Sequence, residues 1–138
     1  MPFYEPELDS YFRRAKHEIG NIEFTTDVDG SIKQADVVFI SVNTLALKLL
    51  VDQPVLGVPT DMRAFNSVVS QIGSLFQPGD SHKIIVEKST VPLGTGQKVR
   101  ELLQEKVGEL YSCEDYFTVA NMPEFLAEGT AINDLVRP

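Results

Sequence analysis

The 138 residues suffice for one compact domain with a single core, and 43% hydrophobic and 23% charged residues describe a globular chain rather than a disordered one. A formal net charge of −8 without a lysine and arginine cluster argues against a protein that tracks nucleic-acid phosphates. No apolar run approaches the roughly 20 residues that span a bilayer, and the start MPFYEPELD lacks the features of a signal peptide. The single cysteine, Cys113, has no internal disulfide partner, so a cytoplasmic setting away from membranes is expected.

Pro6 suits the first turn of a helix, and Leu8, Tyr11, Phe12, Ala15 and Ile19 recur at helical spacing up to Gly20, a natural stop. Residues 22–25 are a short strand candidate, and 27–34 allow one or two helical turns. Val37, Val38, Phe39 and Ile40 form a β-branched and aromatic run without polar alternation, which predicts a strand buried on both faces of a parallel sheet. The connection 43–59 is long and apolar, with Leu45, Leu47, Leu49, Leu50, Val51, Val55 and Leu56. Such loops are usually functional or mobile, and this one is expected to form a helical turn or to bury against another surface. Thr60 or Asp61 can cap the next helix, whose buried stripe is Met62, Phe65, Val68, Val69, Ile72 and Phe76, ended by Pro78 and Gly79. A second buried strand at 83–87 follows, then a helix carrying Val99, Leu102, Leu103 and Val107. A last strand at 116–120 leads into Pro123 and a final short helix. This alternation predicts an α/β fold with a right-handed parallel sheet and flanking helices.

In open parallel sheets, ligands bind beyond the carboxyl ends of the strands. Three such ends carry polar residues: Ser41 to Thr44, Glu87 to Thr90, and Asn121 to Glu128. Thr90 offers a neutral hydroxyl on a turn fixed by Pro92, although Ser89 and Thr90 could equally cap the helix that follows. Glu124 and Glu128 are four apart and would share a helix face if Pro123 opened a helix. Its free N–H groups would then form an anion site, and a carboxylate there could act as a base or hold a ribose hydroxyl. The alternative is a solvated first turn in which the helix dipole favours acids. Gly94-Thr95-Gly96 is not a dinucleotide fingerprint, which needs G-x-G-x-x-G after the first strand. Cys113 is expected to be a surface or half-buried thiol, not a nucleophile. His17 and His82 are widely separated, so no metal-ligand spacing exists, and Glu114 with Asp115 reads as a solvated turn.

At the same strand ends the sequence resembles the UDP-glucose dehydrogenase family. The blocks are YEPELD at 4–9, ADVVFISVNT at 35–44, EKSTVP at 87–92 and PEFLAEGTAI at 123–132, four in order over nearly the whole chain. The resemblance implies an incomplete Rossmann-like sheet lacking the first βαβ unit, and an NAD-dependent four-electron oxidation of UDP-glucose to UDP-glucuronate through a cysteine-linked intermediate. By the same carry-over, Val42, Asn43, Thr44 and Ser89 would line the NAD site. Thr90 would sit by the nicotinamide and help place a catalytic water. Glu124 would take part in acid–base chemistry, and Glu128 would contact the cofactor. The segment Glu124, Phe125, Leu126, Ala127 and Glu128 would pass against the sugar nucleotide. A homo-oligomer is also implied.

The departures bear on activity. Where the family has a proline after Val-Asn-Thr, Leu45 opens an apolar stretch, and the family's Ser-Asn reads Asn121-Met122. By the resemblance, residues 1–138 would be a partial NAD-binding domain: the glycine-rich first turn would precede Met1, and the catalytic cysteine with its lysine and aspartate would follow Pro138. A chain of these residues alone is expected to be inactive. If residues 22–25 are the third strand of the 3-2-1-4-5-6 order, that strand must drift free or pair wrongly, leaving an exposed edge at 37–40. A reading of a different class is a non-catalytic assembly module that joins complete dehydrogenase subunits through the apolar 45–56 segment.

Overall fold

The computed structural model describes residues 4–44 and 60–137, so the apolar 45–56 segment lies outside the described residues. In chain order the elements are α1 (Leu8–Arg13), a π-helical turn (Arg14–Ile19), α2 (Val28–Gln34), β1 (Val37–Ile40), α3 (Arg63–Ser74) and β2 (Lys83–Glu87). After them come α4 (Thr95–Val107), a 3₁₀ turn (Cys113–Asp115), β3 (Phe117–Asn121) and α5 (Ala131–Val136). They fall into two compact units: Val28–Glu124, and Met1–Asp27 together with Phe125–Pro138.

The unit Val28–Glu124 holds a three-stranded parallel sheet in the order β1-β2-β3. Val38 pairs with Ile85, and Ile85 with Val119, so alternate residues of all three strands share a face. On one face Ile40, Ile85 and Phe117 pack against Phe65, Val69 and Ile72 of α3 and Val99, Leu103 and Val107 of α4. Phe65, Ile85 and Leu103 are fully buried, each contributing about 1.5–3 kcal/mol. Gly73 lets α3 approach α4: a Cβ there would lie 2.8 Å from the Cβ of Lys106. Buried Lys83 donates from Nζ to the carbonyls of Lys33 (2.9 Å) and Ala35 (2.7 Å), so its charge caps the carboxyl end of α2.

β1 departs from the expected two-sided burial. Val37 and Phe39 are 42% and 56% exposed, because α3 and α4 cover only the face that carries Val38 and Ile40. The cap of α3 is also indirect. Met62 holds the N-cap position without a side-chain bond, while Asp61 accepts the N–H of Arg63 at 3.0 Å and pairs with its guanidinium.

In the unit Met1–Asp27 with Phe125–Pro138, α1 begins at Leu8, and Pro6 lies in the preceding turn instead of the first helical turn. Glu7 sits between them at φ 65, a left-handed backbone that side chains disfavour. The helix widens into the π-helical turn and stops at Gly20. Residues 22–25 form no strand, since a strand requires a ladder partner and this unit offers none among the described residues. Phe24 instead lies 5.9 Å from the ring of Phe12, with Lys16 Nζ 5.2 Å from the Phe24 centroid. No helix among the described residues is long and apolar enough to cross a membrane.

Candidate functional site

The carboxyl ends of β1, β2 and β3 meet at one rim of Val28–Glu124. The cleft there, about 310 Å³, is lined by Ser41, Val42, Asn43 and Thr44 after β1, Lys88, Ser89 and Thr90 after β2, and Glu124 after β3. The sheet ladder continues past the strands to build it. The N–H groups of Lys88 and Ser89 both donate to the carbonyl of Ile40 at 3.0 Å, and that of Met122 donates to the carbonyl of Glu87 at 3.0 Å. Ser89 Oγ donates to the carbonyls of Val42 (2.7 Å) and Ile40 (3.2 Å). Thr44 Oγ1 donates to the carbonyl of Thr90 at 2.7 Å. The hydroxyls of Thr44 and Ser89 are therefore spent on aligning two strand ends, whereas Thr90 and Glu124 are exposed on the rim they share. That rim can offer hydroxyl, carboxylate, ammonium and amide groups to one small ligand.

Phe125, Leu126, Ala127 and Glu128 belong to the other unit, where Phe125 is 87% exposed. Pro123 opens no helix. Residues 122–127 have no regular secondary structure, and α5 begins only at Ala131. Gly129 turns the chain at φ 86, and Asp134 Oδ2 accepts the N–H of Ala127 (3.2 Å) and the hydroxyl of Thr130 (2.8 Å) ahead of that late start. The anion site at Pro123 and the shared helical face of Glu124 and Glu128 are thus absent.

Cys113 is more buried than its polar surroundings suggested, at 5% exposure. Its N–H donates to Gln104 Oε1 at 2.9 Å and its Sγ lies 3.7 Å from the carbonyl of Arg100, because the 3₁₀ turn packs on α4. Burial pushes its thiol pKa up, Glu114 adds to the rise, and Arg100 opposes it. Such a thiol is a poor nucleophile. Among the described residues no group of three or more His, Cys, Asp or Glu side chains is arranged to hold a metal ion.

Two residues of the Glu87 to Thr90 strand end were given no role of their own from the sequence. Lys88 supplies the rim's cation. Glu87 is buried beneath the helix-covered face at 1% exposure. The alternation Lys83, Ile85, Glu87 carried that signal, since residues two apart on a strand share a face.

Known proteins match along the whole of this arrangement. The UDP-glucose 6-dehydrogenase of Drosophila melanogaster is 38% identical over 138 residues, which cover 99% of this chain and 26% of the relative. UDP-glucose 6-dehydrogenase 1 of Oryza sativa subsp. japonica is 36% identical, covering 100% and 26%. The chain therefore spans about a quarter of the length of these relatives. Among solved structures, a ternary complex of GDP-mannose dehydrogenase from Pseudomonas aeruginosa superposes with a TM-score of 0.78 at 28% identity, over 97% of this chain and 28% of that one. A UDP-glucose dehydrogenase from Pyrobaculum islandicum gives 0.75 at 29% identity, over 98% and 28%. The NAD binding domain of the UDP-glucose/GDP-mannose dehydrogenase family matches residues 1–138. This chain belongs to the UDP-glucose/GDP-mannose dehydrogenase family, within its NAD-binding domain.

Proposed function

We propose that the rim at Thr90 and Glu124 receives the nicotinamide–ribose end of NAD, and that the protein to which this chain belongs oxidises UDP-glucose to UDP-glucuronate. The observation that carries this reading is the convergence of residues 41–44, Thr90 and Glu124 on one cleft at the carboxyl ends of parallel strands. The groups present fit the nicotinamide–ribose end, because hydroxyls, backbone groups and one carboxylate suit an amide and ribose hydroxyls. They do not supply a pyrophosphate cradle. The sequence contains no G-x-G-x-x-G; its nearest approach, Gly94-Thr95-Gly96-Gln97-Lys98-Val99, follows β2 and lacks the third glycine.

NAD, when bound, accepts the hydride from the sugar's C6 carbon. The carboxylate of Glu124 takes the proton of the C6 hydroxyl, for which its exposed rim position is suitable. The Thr90 hydroxyl both donates and accepts, so it can orient a water beside the reacting carbon without adding charge. Ser89 and Thr44 act one step back, through the backbone bonds that hold this turn against the end of β1. Cys113 supplies no covalent step, given its burial and its raised pKa.

The test is titration of the chain with NAD⁺, followed by amide NMR. The reading expects saturable shifts at residues 41–44 and 88–90 with a Kd of about 1 mM, weak because the pyrophosphate lacks its cradle. Thr90→Val should weaken binding several-fold with an unchanged melting temperature. Absence of saturable shifts at these amides would overturn the assignment.

A further inference from the structure

β1 is an outer strand of the sheet, and only its side towards β2 is paired. The carbonyls of Asp36 and Ile40 accept the N–H groups of Ile84 (2.9 Å) and Lys88 (3.0 Å), so they point towards β2. Backbone groups alternate sides along a strand, which turns the N–H and C=O of both Val37 and Phe39 away from β2. No described residue bonds to those groups. α2, which leads into β1, does not shield them. Its Ile32 reaches the core on the helix-covered face, and the carbonyl of Lys33 holds Lys83 of β2. On the opposite face the side chains of Val37 and Phe39 are 42% and 56% exposed, next to Ile84 at 39%. Free backbone groups beside exposed β-branched and aromatic side chains form a template for another strand.

This edge is complementary to itself. An antiparallel copy related by a two-fold axis at Val38 sets Val37 opposite Phe39 of the second copy, and Phe39 opposite its Val37. Each pair exchanges both N–H···O bonds, since all the groups involved already face outward. Each pair also sets a β-branched side chain beside an aromatic one on a single sheet face, a favourable cross-strand combination. Asp36 is the only charged residue from Ala35 to Thr44. The axis separates the Asp36 residues of the two copies by four positions, roughly 13 Å along the strand, beyond the roughly 8–10 Å screening length at ordinary salt. The contact is small against the roughly 800 Å² per partner of a stable complex, so the association is weak and reversible.

We propose that two copies of this chain pair antiparallel through β1, joining their three-stranded sheets into one continuous sheet. The proposal uses neither Thr90 nor Glu124 and stands apart from the NAD reading.

Sedimentation velocity between about 10 µM and 1 mM tests it, with amide hydrogen exchange followed over the same range. The expected result is a monomer–dimer equilibrium with a Kd on the order of 0.1 mM. Added salt should tighten it, because each copy carries a net charge of −8. Exchange at the Val37 and Phe39 amides should slow as the dimer forms. Phe39→Glu and Val37→Lys, both at exposed positions, should each keep the melting temperature of the monomer and weaken the dimer about tenfold. Mixing the two variants sets the new ammonium opposite the new carboxylate in this register, so the mixture should regain the original affinity. A monomer at 1 mM, growth beyond the dimer, a dimer undiminished by Phe39→Glu, or no recovery on mixing would overturn the proposal. Val37 and Phe39 amides already protected at the lowest concentration would show that another segment of the chain fills the edge, and would overturn it too.

Discussion

Removing the Ser89 hydroxyl probes how the rim is held. Ser89 Oγ donates to the carbonyl of Val42 at 2.7 Å and more weakly to that of Ile40 at 3.2 Å. The Ile40 carbonyl keeps two backbone donors, the N–H groups of Lys88 and Ser89, so Ser89→Ala forfeits in effect the Val42 bond. One neutral hydrogen bond is worth about 1 kcal/mol, which for a chain of this size lowers the melting temperature by about 3–5 °C. Thr44→Val removes the bond to the Thr90 carbonyl, which ties the same two segments together. Because the bonds share a task, the double variant should lose more or less than the sum of the singles, with a coupling of about 0.5 kcal/mol or more. Thermal denaturation reads the stability, and amide exchange at residues 41–44, faster in both variants, reads the local effect. An unchanged melting temperature with unchanged exchange in Ser89→Ala would refute the claim that these hydroxyls align the strand ends.

The packing elsewhere in the chain has consequences of its own. Gly73→Ala drives a Cβ to within 2.8 Å of Lys106 Cβ, and overpacking of about 1–3 kcal/mol outweighs the roughly 0.5–1 kcal/mol gained in helix propensity; urea denaturation should show a net loss. Cys113, buried and with its pKa raised chiefly by desolvation, should react with a thiol reagent at neutral pH only as fast as the chain opens, and at full rate in denaturant. Asp61, held by the Arg63 side chain at a pKa of about 2 instead of 3.8, stabilises the fold at pH values above the unfolded pKa. That contribution fades as pH falls from about 4 towards 2, so the stability difference between the protein and Asp61→Asn should shrink over this window.

The sheet and its two long helices were legible because their signals come from one dominant environment. Phe65, Val69 and Ile72, like Val99, Leu103 and Val107, repeat at helical spacing and all reach the same core. Strand runs were harder. Val37 to Ile40 has the composition of a doubly covered strand, but composition does not reveal that its second face meets no helix of this unit. Residues 22–25 alternate as a strand would, yet a strand exists only through its neighbour. Pro123 and Glu124 carry the marks of a helix start, but the short-range bonds of Asp134 to Ala127 and Thr130 accompany a start at Ala131. Thr90, Glu124 and residues 41–44, picked out by motif and position, line one cleft. Lys88 was given no role of its own, and Glu87 was signalled only by its alternation with Lys83 and Ile85 on one face of the strand.

The most direct measurement of the central claim is the set of nuclear Overhauser contacts between bound NAD⁺ and the chain. Contacts from the nicotinamide ring protons to the Thr90 methyl and to the amides of residues 41–44 are the expected result. Nicotinamide contacts elsewhere, with none at Thr90, would contradict the account.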